Sequence, residues 1–157
     1  MSESTKPIFP GVSLDPVQRL RALAAGVRGA AVTERVIDAS AETVWAILSD
    51  LEDGFGTVQP DMRHVHITRR DGENIEAIAR SAYGMRARLR GTIRPGWCWP
   101  QSRFLIIGVA VTPEGAGAQC RVAMTGGIRI PGHAALIPIG VRREARKSLD
   151  RLATIAI

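Results

Sequence analysis

The chain has 157 residues, 45% of them hydrophobic, which is enough for one domain with a sizeable core and too little for two ordinary domains. The net charge of +6 and the pI near 10.6 rest on 19 arginines against two lysines, Lys6 and Lys147; this reads first as an arginine-favouring composition, with an anionic partner such as nucleic acid or a membrane surface as the functional alternative. No window reaches the length needed to cross a bilayer, and "MSESTKPIFP" shows no basic segment followed by an apolar run, so a cytoplasmic protein is expected.

Residues 1–14 carry Ser, Pro and Gly with little pattern and read as a flexible lead-in. Asp15 followed by Pro16 is a cap and first-turn signature, and Val17, Leu20, Leu23, Ala24 and Val27 then recur at helical spacing as far as Gly29. Residues 1–29 thus form an extension with a short amphipathic helix, able to pack on the domain or on a second copy in a homodimer. The main domain runs over 30–157. It opens with a strand in "AAVTERVIDAS", and Ser40 caps a helix in "SAETVWAILSDL" whose apolar face is Val44, Ile47, Leu48 and Leu51, with Trp45 beside it. Gly54 and Gly56 make "EDGFGTVQP" a broken helix or a loop.

Short strands separated by turn chemistry follow: "RHVHITRR", "NIEAIARSAY", "MRARLRGTIR", "WCWPQ", "SRFLIIGVAVT" and "QCRVAMTGGIRI". Tight turns at Asp71-Gly72, Gly84, Pro95-Gly96 and "PEGAGA" argue for an antiparallel meander. A closing helix is expected in "HAALIPIGVRREARKSLDRLATIAI", with Ile137, Val141, Ala145, Leu149 and Leu152 on one stripe and Pro138 and Gly140 delaying its first turns.

The stretch from Met85 to Pro95 alternates strictly. Arg86, Arg88, Arg90, Thr92 and Arg94 share one strand face; Met85, Ala87, Leu89, Gly91 and Ile93 share the other. Unpaired guanidiniums facing an apolar interior would cost several kcal/mol each, so the arginine face is expected to be wet or paired, with Glu76 and Arg80 as cross-strand balance.

Four segments carry a resemblance: "VIDASAETVWAILSDL" at 36–51, "PGWCWPQSRF" at 95–104, "VTPEGAGAQCRV" at 111–122, and "RIPG" before the last helix. From about Ala30 to Ile157 the chain resembles the START-related, birch-pollen-allergen-like superfamily, which includes polyketide cyclases and dehydrases and coenzyme Q-binding proteins. The resemblance implies an α+β helix-grip fold, a curved seven-stranded antiparallel sheet wrapped around a long C-terminal helix with a cavity between them. The arginine face would then meet solvent. Met85, Ala87 and Leu89, with Val122 and Met124 on a neighbouring strand and Ile137 and Val141 on the helix, would line an apolar, underfilled chamber. Trp99 is added as a wall of that chamber, although Trp97 and Trp99 read first as core.

Specific chemistry is sparse. Cys98 and Cys120 lack metal-ligand spacing and read as reduced core residues. His64 and His66 fall on the polar parity of their strand with no acidic third ligand at useful spacing, so no metal is expected, and His133 reads as a first-turn residue. Asp50, Tyr83, Gln101 and Arg103 are the polar groups placed nearest a cavity mouth. No nucleophile elbow, phosphate loop or carboxylate pair is present, and no cofactor is implied. The expected function is binding of a small hydrophobic ligand that is lipid, polyketide or quinone-like. The alternatives are a cyclase or dehydrase acting on a polyketide-like substrate, and an interaction module using the arginine face. Nucleic acid is disfavoured because only 4% of the residues are aromatic and single-strand binders rely on stacking.

Overall fold

Alternating apolar positions broken by glycine turns lay down one antiparallel meander. A computed structural model describes residues 15–54, 64–80, 86–103, 105–129, 136–137 and 141–156. Its strands are β1 (Val32–Ile37), β2 (His64–Asp71), β3 (Asn74–Arg80), β4 (Arg86–Arg94), β5 (Trp97–Gln101), β6 (Leu105–Glu114) and β7 (Gln119–Arg129). They pair in the order β1-β7-β6-β5-β4-β3-β2, every neighbour antiparallel, in a curved sheet. β2 carries a bulge between Ile67 and Arg69, where the Thr68 hydroxyl donates to the Glu76 carbonyl at 3.2 Å.

Among the described residues three helices cover this sheet. In α1 (Pro16–Ala25) the Asp15 carboxylate accepts the Gln18 N–H at 2.8 Å, and the Gln18 side chain accepts the Asp15 N–H at 3.2 Å, a reciprocal cap at a proline start. In α2 (Ala41–Ser49) the Ser40 hydroxyl accepts the Thr43 N–H. The closing helix, α3, spans Val141–Ile155.

Two expectations about these helices need correcting. Leu136 and Ile137, assigned above to the last helix, form a two-residue strand, β8, paired with the end of β7. Ile137 precedes Pro138, and the residue before a proline is pushed from helical to extended backbone. Leu23, placed on the buried stripe of α1, is 43% exposed, whereas Val17, Leu20 and Ala24 are buried. The lead-in 1–14 and the glycine-interrupted segment 55–63 lie outside the described residues.

The sheet has two distinct faces. Its inner face carries Ile37, Ile75, Leu89, Ile93, Val109 and Val122, against which α2 packs Val44 and Leu48 and α3 packs Leu149 and Leu152. Val141 and Ala145, expected on the same α3 stripe, have side chains outside the described residues. The outer face carries a second, smaller cluster in which Val17 and Leu20 of α1 lie on Trp97, Ala110 and Ala123, with Trp99 and Val32 at its border.

Candidate functional site

Along β3, Ile75, Ala77 and Ala79 point inward and Asn74, Glu76, Ile78 and Arg80 outward, and the register carries this parity onto β4, where Ala77 faces Leu89 and Glu76 faces Arg90. Between these inward residues and α2 lies an enclosed apolar void bounded by Leu48, Leu51, Val65, Ala77, Leu89 and Val109. Its free volume is about 20 Å³, room for roughly one water. Among the described residues this void is therefore nearly filled, and the expected chamber toward Met85, Ile137 and Val141 lies partly outside them. Medium-sized side chains from α2 and β6, which single-strand parity on β4 does not reveal, occupy the space that Ala77 and Ala79 leave.

The structure brings together only part of the expected lining. Leu89 bounds the void, and Val122 and Met124 belong to the same inner cluster without bounding it. Ala87 has the inward parity but is half-buried, opposite Ala79 at the far end of β3 and β4. Ile137 sits on β8 and Val141 begins α3; their side chains, and Met85 altogether, lie outside the described residues. Trp99 belongs to the other face. Its ring stacks on Trp97 at 6.0 Å between centroids, beneath α1, and the inward positions of β5 are Cys98 and Pro100. Leu48, Leu51 and Ala77 were missing from the expected lining. Helical spacing flags the first two and period-2 alternation the third, yet neither shows that they meet Leu89.

The void is chemically quiet. Among the described residues that bound it, Cys98 is the titratable one, and burial pushes its thiol up to about 12, leaving it neutral at physiological pH. The polar groups expected near a mouth are dispersed. Gln101 and Arg103 are exposed, with Gln101 opposite Arg90 on the outer face, and Tyr83 lies outside the described residues. Asp50 closes α2 and accepts the Asp53 N–H at 3.2 Å. His66 is exposed with Nδ1 3.2 Å from Glu52, the His64 side chain and His133 lie outside the described residues, and no metal-holding cluster occurs among the described ones.

On the outer face the arginine comb is solvated as the alternation requires: Arg86, Arg88 and Arg90 are exposed. Arg90 pairs with Glu76 at 3.2 Å and Arg94 with Glu73 at 3.8 Å. Arg80 does not balance the comb. It stands directly opposite Arg86 and adds to the charge.

The seat of α1 is built from small residues. A side chain at Gly108 would meet Thr125, Trp99 and Leu20 at 2.8 to 2.9 Å, so glycine there lets Leu20 and Trp99 close over β6. Polar contacts fasten the start and the middle of the helix. Thr112 Oγ1 accepts the Val17 N–H at 3.2 Å and donates to Asp15, and Arg21 donates to Glu34 at 2.6 Å, holding that carboxyl below the usual range. Arg19 lies 5.2 Å from the centre of the Trp97 ring.

Residues 28–156 match the model of a family described as polyketide cyclase / dehydrase and lipid transport. No curated protein matches the chain by sequence. Among solved structures, the KanY protein is similar at 15% identity, covering 82% of this chain and 97% of its own, with a TM-score of 0.62. The Zhui aromatase/cyclase from Streptomyces sp. R1128 is similar at 15% identity, covering 81% and 92%, with a TM-score of 0.56. The di-domain aromatase/cyclase BexL from the BE-7585A biosynthetic pathway is 19% identical over 80% of this chain and 45% of its own, with a TM-score of 0.58. Likeness at these identities is likeness of fold.

Proposed function

This chain belongs to the polyketide cyclase/dehydrase and lipid transport family, and from that premise we propose that it binds a small hydrophobic molecule on the inner face of the sheet, beneath α2 and α3. The observation that supports this reading most is the lining of the void, in which Leu48, Leu51, Val65, Ala77, Leu89 and Val109 offer an apolar surface without an ionised group. A surface of that kind recognises a ligand by burial rather than by hydrogen bonding. The free volume of about 20 Å³ is far below the roughly 300–1,000 Å³ of an occupied small-molecule site. Binding therefore requires α2 or the β2–β3 end of the sheet to give way, a ligand-driven shift of population.

The second reading, a cyclase like the Zhui and BexL neighbours, has the family and the fold in its favour. It needs a proton donor or acceptor facing the substrate, and the neutral Cys98 thiol supplies neither at physiological pH. Carriage or sequestration fits the lining better.

The test is native mass spectrometry of freshly purified protein beside Nile red titration. A co-purified lipophilic mass released on denaturation, or saturable dye binding displaced by an apolar competitor, is expected. Absence of both would overturn the reading.

A further inference from the structure

A ligand that enters the void must pass its rim, and one rim residue is shared with a second space. Val65 bounds the inner void and also bounds a cleft of about 640 Å³ whose other walls are Asp50, Glu52 and Asp53 on one side and Ile78, Arg80 and Arg86 on the other, with His66. Val65 has the inward parity of β2 and His66 the outward, so the cleft straddles the edge strand. Among the described residues Val65, 7% exposed, is the wall that the cleft and the void share.

Within this cleft Arg80 and Arg86 are distinctive. They face each other across β3 and β4, both exposed, and like charges placed directly opposite destabilise a sheet. Among the described residues neither has an ion-pair partner, as is also true of Arg69, Arg70 and Arg88 but not of Arg90 and Arg94 on the same face. Of the acids in the cleft, Asp50 accepts the Asp53 N–H and Glu52 stands against His66, while the Asp53 carboxylate meets no cation among the described residues. Two unmatched guanidiniums thus flank the approach to an apolar void.

We propose that the cleft receives the anionic head of an amphipathic ligand, a carboxylate or a phosphate monoester held between Arg80 and Arg86, while its apolar chain passes Val65 into the void. Facing guanidiniums present several N–H donors to the oxygens of one head group, and an anion between them relieves their mutual repulsion. The carboxylates of the same cleft repel an anion placed away from the arginines, which confines the head group to the space between Arg80 and Arg86. This inference rests on the binding reading above and narrows its ligand class.

The test compares a dansyl-labelled long-chain carboxylic acid with its methyl ester on wild type, the Arg80→Gln/Arg86→Gln double variant, and Arg90→Gln. Wild type is expected to bind the acid about tenfold more tightly than the ester, and the double variant to bind both as weakly as wild type binds the ester. Arg90→Gln, whose charge Glu76 already meets, keeps the preference. Displacement by dodecanoate against dodecyl phosphate identifies the head group. Equal binding of acid and ester by wild type, or a preference that survives in the double variant, overturns this inference and leaves the binding reading standing. Failure of both probes to bind overturns both. A marked drop in the melting temperature of the double variant would show that the arginines hold the acidic wall closed, and would also overturn it.

Discussion

Burial decides what the two cysteines can do. Cys98 bounds the void and Cys120 is fully buried in the same inner cluster. Desolvation disfavours their thiolates, pushing Cys98 up to about 12 and Cys120 up to about 11 from an ordinary 9.0. An unfolded chain would ionise both near 9.0, so above that pH the folded state holds more protons than the unfolded one. Their contribution to stability is therefore complete below the ordinary value and is lost as pH rises through the folded values. At about pH 8 the native protein should be silent to a thiol-reactive chromophore, and both thiols should react once it is denatured. Fast reaction of either thiol in the native protein would contradict the burial.

Among the elements, α1 is the one whose placement changes the reading of its neighbours. Leu20 is fully buried on the outer face against the cluster of Trp97, Ala110 and Ala123. Leu20→Ala should cost about 2–5 kcal/mol and shift tryptophan emission to longer wavelength as water reaches Trp97 and Trp99; unchanged melting and emission would mean that the helix is not held there. The helix itself was legible, since Asp15-Pro16 and the spacing of Val17, Leu20 and Ala24 mark it. Its destination was not, because helical periodicity gives the existence of a buried face and not what buries it. The same limit explains Trp99. Alternation groups Trp97 with Trp99 on one face, but on a sheet covered on both sides each parity finds apolar company. On β4 the sides were separable only because arginines occupy one of them. The size of the void was hidden for a related reason: it depends on how Leu48 and Leu51 of one segment meet Ala77 and Leu89 of others.

In the whole molecule the sheet is a partition. α1, which precedes the residues matching the family model, covers part of the outer face; α2 and α3 cover the inner face; and the uncovered outer strands carry the arginines. Helix–sheet–helix layering of this kind buries apolar area on both sides, and it leaves two apolar regions in which a lipophilic molecule could lodge. The proposed ligand takes the inner one. Amide shifts in a 15N-labelled sample titrated with Nile red test this placement most directly. The largest changes should fall on Leu48, Leu51, Val65, Ala77, Leu89 and Val109, with Leu20, Trp97, Trp99 and Ala123 little moved. Changes concentrated on that second group, with the first unmoved, would contradict it.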